Sequence, residues 1–205
     1  MDRIVHRASE PAPTGDDVEV AEHAFHFLAG RPCLDLVATV GERWRRRIER
    51  LRTPGDLGRW VVEAGLLDAP PRVTATDLDD ARRLRGAIAR VAMAWGLGED
   101  LDPVDVATIN AAAAAPDLAP SLDEDGRLAR AAGGTIRGAC SVVARDAIDL
   151  VATGDPERLR ECAADDCSLL FHDASRPGAR RWCSMTACGN RHKTSQYRRR
   201  RAAPR

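Results

Sequence analysis

Four of the six cysteines in this 205-residue chain fall within one stretch of 27 residues near the C-terminus. They form two pairs with four residues between the partners, Cys162 with Cys167 and Cys183 with Cys188, and 15 residues separate the pairs. A tight turn between paired cysteines brings two sulfurs to one metal, and Zn²⁺ favours four such ligands in a tetrahedron. The spacing therefore predicts a small zinc module with these four cysteines as metal ligands.

Two disulfides are the competing interpretation of the cysteine pairs, and a redox sensor is a third. The chain begins without the apolar core of a signal peptide, and no apolar run approaches the roughly 20 residues of a membrane-spanning helix. We therefore expect no membrane partner and a location in the cytoplasm or nucleoid, where reduced thiols favour zinc. His172 and His192 are alternative ligands, whereas Cys33 and Cys140 lie on apolar faces and are expected in the core.

The residues around the cysteines predict the fold of the module. Residues 169–173 and 180–183 are expected to form two strands around a turn at 175–178. Cys188 should then begin a helix that continues into the basic tail. Knuckle, hairpin and helix in this order are a treble-clef-like arrangement. Such a module has little apolar surface of its own, and a bound metal supplies the missing folding free energy.

Charge is distributed unevenly, although the formal net charge is zero. From Pro156 onward, 12 Lys and Arg stand against 5 Asp and Glu, whereas residues 1–155 carry 19 against 26. A basic end on an acidic body is typical of a segment with an anionic partner. Asn190 and Arg191 have the alternative role of bracing the zinc site. We expect DNA to be bound through Asn190, Arg191, Lys193, Gln196, Arg198, Arg199, Arg200 and Arg201.

Upstream of the module, apolar residues recur at helical spacing. We predict a flexible leader over residues 1–20, a mostly helical domain over 21–154 and the zinc module over 155–205. Asp125–Gly126 is a favoured hairpin turn, which predicts short strands at 118–122 and 127–131. The predicted fold class is therefore mainly α with a small β-hairpin, followed by the treble-clef-like module. Helix N-caps are expected at Thr53, Thr76, Asp102 and Thr135.

Three stretches before these helices carry weaker signals. Residues 25–30 are a predicted short strand, and the apolar run 33–40 is a predicted buried helix. Residues 41–52 contain six arginines, and a helix here would align Trp44, Ile48 and Leu51 on one face. The charges would then form a solvated face, with a second nucleic-acid contact as the alternative.

The module resembles the CGNR-type zinc finger, named for the tetrad present here as Cys188, Gly189, Asn190 and Arg191. The upstream half is similar to the ABATE domain of bacteria in residues 30–40 and 51–57 and at Trp60. Ala38 stands where that family commonly has Asn. Further matches to the finger are Leu159, Arg160, Leu170, Phe171, His172, Asp173, Ser175, Arg176, Arg181, Trp182, Ser184, Met185, Lys193 and Tyr197.

This resemblance implies a stress-linked transcriptional regulator, and we expect a non-enzymatic one. Its finger would bind DNA and hold one structural Zn²⁺ through the four cysteines. The helical domain would sense a small-molecule effector or form a homodimer. An RNA-binding or protein-binding zinc adaptor is the alternative function. An enzyme built on Asp35 or His26 is disfavoured, because the sequence shows no nucleophile–base pair and no phosphate loop.

Overall fold

The computed structural model describes residues 23–194, except 117, 119, 123, 127 and 131–133. The predicted leader, Gln196 and residues 198–201 therefore lie outside the described part of the chain. Within that part the protein is mainly helical and carries small two-stranded antiparallel hairpins, which confirms the predicted fold class.

The upstream body is a bundle of helices around one hydrophobic core. Its longest helices pack against one another, and a short helix contacts two of them. This helix covers residues 33–37 of the predicted helical run 33–40, and it ends at Val37. Trp60 and Ile88 are fully buried near the centre of this core. The helices are α1 (Pro32–Val37), α2 (Pro54–Glu63), α3 (Ala75–Leu97), α4 (Pro103–Ala113) and α5 (Ile136–Thr153).

The starts of α2 and α3 follow local capping chemistry. Thr53 Oγ1 accepts the Asp56 amide at 3.2 Å, and the Asp56 carboxylate accepts the Thr53 amide at 2.8 Å. Thr74 and Asp77 form the same reciprocal pair, so α3 starts two residues earlier than predicted from Thr76. Both threonines have Asp three residues later, and the local signal does not distinguish the two registers.

The predicted caps of α4 and α5 are confirmed. Asp102 accepts the Val104 amide, and Thr135 accepts the Gly138 amide. Between these helices, β3 (Pro120–Leu122) and β4 (Leu128–Arg130) pair antiparallel, as the Asp125–Gly126 signal predicts. Gly126 adopts φ +74°, a left-handed conformation that suits glycine in a tight turn.

The helix predicted over residues 41–52 is wrong. The chain instead forms β1 (Val40–Gly41) and β2 (Ile48–Glu49), an antiparallel pair joined by a turn at residues 42–47. Glu49 receives two hydrogen bonds from Arg85 of α3, at 2.7 and 2.6 Å. This long-range ion pair fixes β2 beside the bundle. It stabilises the hairpin more than the burial of three apolar residues on one helix face would have stabilised a helix. Trp44 is consequently 60% exposed at the turn and lies outside the core.

The strand predicted at 25–30 is also absent, since those described residues form no ladder. The Ala29 carbonyl instead accepts the His172 amide at 2.8 Å. Gly30 follows with φ +77°, and a Cβ at this position would lie 3.2 Å from the His172 carbonyl oxygen. This segment therefore connects the bundle to the cysteine module through a close backbone approach.

The hairpin of the module contains one of the two predicted strands, since β6 falls within residues 169–173, but its partner strand differs from the prediction. A 3₁₀ turn (Pro156–Arg158) leads from α5 into β5 (Leu159–Glu161), which pairs antiparallel with β6 (Leu170–His172). Residues 180–183 form no strand. The chain turns after β6 because buried Asp173 accepts the amides of Ser175 and Arg180. Burial opposes ionisation of this carboxyl, but these hydrogen bonds lower its pKa to about 2.

The C-terminal helical segment begins before Cys188. Ser184 caps a π-helical turn (Met185–Gly189), and residues 190–194 continue it as one α-helical turn. The prediction that Cys188 begins the helix is therefore wrong by three residues. Cys188 lies inside the first turn, where its backbone is already held by the helix.

The module shares its core with the bundle. Phe171 of β6 is fully buried in the same apolar cluster as the bundle residues. Leu159 of β5 packs against Gly96 of α3, where a Cβ would lie 2.9 Å from a leucine methyl carbon. We therefore expect the module and the bundle to stabilise one another.

A buried carboxyl in α1 makes the stability depend on pH. Asp35 accepts the Ala29 amide at 3.0 Å. Burial raises its pKa to about 6; the Ala29 hydrogen bond opposes the shift and the charge of Asp146 adds to it. The raised pKa means that Asp35 stabilises the folded state most when protonated, and this contribution is lost as pH rises through 6.

We therefore expect Asp35→Asn, which keeps the acceptor oxygen, to gain stability relative to wild type as pH rises. The relative gain between pH 5 and pH 7.5 should be about 1 kcal/mol. Urea unfolding at the two pH values measures it. Asp68→Asn, in an exposed loop, is the control. A stability difference that does not change with pH would contradict the expectation.

Candidate metal centre

The four predicted ligands come together in one cluster. The sulfurs of Cys162, Cys167, Cys183 and Cys188 all lie within 4.8 Å of one another. Cys183 Sγ is 3.5 Å from Cys188 Sγ and 3.9 Å from Cys167 Sγ. Four sulfurs around Zn²⁺ at about 2.3 Å have edges of about 3.8 Å, whereas a disulfide needs about 2.05 Å. The cluster therefore has the dimensions of a zinc site, and its four cysteines are free thiols.

Backbone hydrogen bonds place the sulfurs. The Cys162 amide donates to Leu169 O at 3.0 Å, which anchors the first knuckle to β6. The Cys167 amide donates to Ala164 O at 2.9 Å and closes the turn between the first two cysteines. The Ala163 amide donates to Arg181 O at 2.9 Å and joins the two knuckles. Cys167 alone of the four is half-buried; the other three are buried.

Four thiolates at these distances would repel one another unless a cation neutralised their charge. Donation from Cys167, and then from Cys183, lowers the pKa of the Cys162 thiol, while the same contacts raise those of the two donors. One thiolate is thus favoured over several negative charges at van der Waals distance. A divalent ion reverses this preference by neutralising the thiolates, so the donor set fits Zn²⁺ chemically as well as in size.

The CGNR tetrad supports the second knuckle. A Cβ at Gly189 would lie 2.8 Å from Met185 Sδ and 3.3 Å from the Trp182 ring, so a side chain at this position would displace the flexible Met185 side chain. Arg191 Nη2 donates to Cys188 Sγ at 3.2 Å. Its Nη1 lies 3.0 Å from Asp166 Oδ2 in the first knuckle. Hydrogen bonding to Cys188 is the main cause of the raised Arg191 pKa.

Arg191 therefore joins both knuckles outside the sulfur cluster, as the bracing alternative predicts, and its side chain is still 58% exposed. Asp166 is a partner that sequence reasoning missed, because an acid between paired cysteines carries no local signal for a distant arginine.

The other predicted nucleic-acid residues lie on the outer side of the same helix or beyond the described residues. Asn190 and Lys193 are exposed on the C-terminal helical segment. The two histidines lie outside the cluster: the His192 ring packs against Trp182 at 4.7 Å between centroids, and His172 belongs to β6. Cys33 is buried in α1, and burial raises the pKa of half-buried Cys140 in α5 to about 12.

A groove of about 670 Å³ opens between the metal cluster and the bundle. Cys167 and Cys188 line it from the module, and Ala38 and His26 line it from the bundle. Burial, then the charges of Arg50 and Arg191, lower the pKa of His26. The side chain at Ala38, where the resemblance leads one to expect Asn, thus faces a space shared by both parts of the chain.

Two family models match the chain. The ABATE model, described as "Putative stress-induced transcription regulator", matches residues 30–154. The CGNR zinc finger model matches residues 158–201. No curated protein matches the chain significantly. The CGNR match and the four-cysteine cluster together assign a structural zinc ion to the module, as predicted. Neither matched family is an enzyme family, and no described helix is long and apolar enough to cross a membrane.

Loss of one sulfur should affect the whole protein. We expect Cys183→Ser to abolish stoichiometric zinc binding and to lower the melting temperature of the bundle as well, because Phe171 and Leu159 belong to the shared core. Zinc analysis and thermal unfolding followed by circular dichroism measure the two effects. Cys140→Ser, at a cysteine outside the cluster, is the matched control and should retain one zinc. Full zinc content in Cys183→Ser would refute the ligand set.

Loss of the brace should weaken the metal without removing a ligand. We expect Arg191→Ala to reduce zinc affinity about 10-fold to 100-fold, because the hydrogen bond to Cys188 and the pair with Asp166 are both lost. Competition with a chromogenic chelator measures the affinity. Arg176→Ala removes an exposed arginine from the same module and is the control. Equal zinc affinities in both variants would show that Arg191 does not support the metal.

Proposed function

Since this chain belongs to the ABATE family and ends in a CGNR zinc finger, we propose that it is a zinc-containing, DNA-binding transcriptional regulator of the cytoplasm rather than an enzyme. The observation that carries the proposal is an exposed helix, built directly onto a four-cysteine cluster, that leads into a run of arginines. In this proposal Cys162, Cys167, Cys183 and Cys188 hold the zinc ion.

Charge supports an anionic partner for the module. The segment from Pro156 carries 12 basic and 5 acidic residues, and four thiolates on one Zn²⁺ lower its net charge to about +5. The upstream body has the opposite sign, so the field of the protein orients the module and not the bundle towards phosphate. The C-terminal helical segment is already ordered by its attachment to the cysteine cluster, so less conformational entropy is lost when it binds DNA.

The residues divide into two proposed roles. Lys193, exposed on the C-terminal helical segment, contacts phosphate, and Asn190 lies exposed in the same segment. Arg191 braces the zinc site and offers its exposed part to the same ligand. Gln196 and residues 198–201 continue the contact along the strand in this proposal. Base readout requires bidentate side chains at a groove edge, and Asn190 and Gln196 have that chemistry.

The helical domain is proposed to sense an effector or to form a homodimer. The groove of about 670 Å³ supports the sensing role, because its volume lies within the usual range of small-molecule sites. It is lined by both the bundle and the module, so an effector held there contacts the two parts at once. Binding of an effector in the groove would then act directly on the C-terminal helical segment.

The test is fluorescence anisotropy with zinc-loaded protein and genomic fragments at about 50 and about 200 mM salt. We expect binding at the lower salt and a steep loss at the higher one. Lys193→Ala should weaken binding severalfold and reduce the slope of log K against log salt by about 1, as for one lost phosphate contact. Arg137→Ala, on α5, is the control.

Absence of binding at low salt by metal-loaded protein would reject DNA as the partner. A preference for structured RNA of about tenfold in competition would instead support an RNA-binding adaptor.

A further inference from the structure

A second basic feature lies in the helical domain, on the hairpin of residues 40–49, here called the arginine hairpin. Its turn is firmly built: the amides of Arg45 and Arg47 both donate to Glu42 O, at 2.8 and 3.1 Å. Arg46 makes two hydrogen bonds to the Glu42 carboxylate, at 3.0 and 2.6 Å. Glu42 and Arg47 adopt φ +41° and +51°, a region that side-chain-bearing residues seldom occupy. Such a conformation persists where surrounding contacts impose it.

The charges of the arginine hairpin do not cancel. Its two acids are already engaged, Glu42 by Arg46 and Glu49 by Arg85. Arg45 and Arg47 are exposed, and neither guanidinium has a carboxylate partner among the described residues. The tip therefore presents two exposed positive charges, neither in an ion pair of its own within the described part of the chain, on a domain whose overall charge is negative.

An aromatic ring is displayed beside these charges. Trp44 is 60% exposed, in a chain with only 4% aromatic residues. Its indole N–H donates to Glu161 Oε1 at 2.6 Å, so the ring is held against β5 of the zinc module. Aromatic faces flanked by arginines are suited to nucleic acid, because they pack against sugars and bases while the guanidinium groups meet phosphate.

The arginine hairpin is also placed next to the proposed DNA-binding module. The Arg43 amide donates to Ser168 Oγ at 2.6 Å, which joins the turn to the segment after the first knuckle. Arg46 and Ile48 form one side of the 670 Å³ groove, and Thr186 and Arg191 of the C-terminal helical segment form the other. The arginine hairpin and the C-terminal helical segment therefore both border this groove.

We propose that the arginine hairpin is a second DNA-contacting element, in which Arg45 and Arg47 bind backbone phosphates and Trp44 packs against the same strand. The inference rests on the proposed function, since the hairpin would contact the same DNA duplex that the C-terminal helical segment binds. Two elements from two domains then bind one ligand, which fixes the orientation of the helical domain on the DNA. A lipid surface is less suited, because a single exposed tryptophan offers little apolar area for insertion.

The test compares two double variants with equal loss of charge in the full-length, zinc-loaded protein. Arg45→Gln/Arg47→Gln removes the hairpin charges. Arg72→Gln/Arg137→Gln removes exposed arginines next to the N-terminal ends of α3 and α5. Anisotropy titrations of a captured genomic duplex at several salt concentrations give affinity and salt slope. We expect the hairpin variant to lower the slope by about 1.8, as for two phosphate contacts, and the control variant to change it much less.

Arg45→Lys/Arg47→Lys keeps the charge and should retain the slope, which separates lost contact from a misfolded turn. DNA should also protect Trp44 from acrylamide quenching in wild type, with a smaller effect in Trp44→Phe. Equal slopes in the two glutamine variants, together with unprotected Trp44, would overturn the hairpin proposal while Lys193→Ala still shows the module's own contact. The hairpin proposal would also be overturned if Arg45→Gln/Arg47→Gln lost binding to anionic vesicles and bound DNA as wild type does. No DNA binding by wild type at low salt would reject the proposed function first.

Discussion

Four sulfurs packed within 4.8 Å of one another are the constraint on which the C-terminal part of this protein depends. Four thiolates this close repel one another unless a cation neutralises them, and the knuckles have little apolar surface to hold them together. Zinc replaces that weak arrangement with four strong bonds. The hairpin β5–β6, the turn around Asp173 and the C-terminal helical segment are all positioned with respect to this centre.

The consequences of the metal extend into the helical bundle. Phe171 and Leu159 stand a few residues from the cluster, and both are packed against bundle residues. The Ala29 carbonyl extends the hydrogen bonding of β6 through the His172 amide. The matched family boundaries at residues 154 and 158 thus divide one continuous core. Metal loading and bundle stability are expected to be linked, because neither part buries its apolar surface alone.

The contact between the two parts also determines what surface the protein offers. Arg43 and Trp44 reach Ser168 and Glu161, so an exposed arginine-rich turn of the bundle lies next to the zinc helix. The groove between them is lined by both. Any ligand of the groove touches the same turn and helix that we propose for DNA, and sensing and binding therefore use adjoining residues.

Features that depend on local chemistry could be predicted from the amino-acid sequence. Cysteine spacing predicted the four-sulfur cluster, and Thr, Asp and Pro at helix starts predicted α2, α4 and α5, because caps act within three or four residues. Features that depend on distant partners could be seen only in the folded protein. The ion pair between Glu49 and Arg85 holds β2 beside the bundle and so supports the turn at 42–47. The partner of β6 is β5, which precedes the first cysteine, and not the predicted strand at 180–183. Arg191 braces the metal because Asp166 lies across the cluster. These contacts join residues 9 to 36 positions apart, and no pattern of neighbouring residues specifies them.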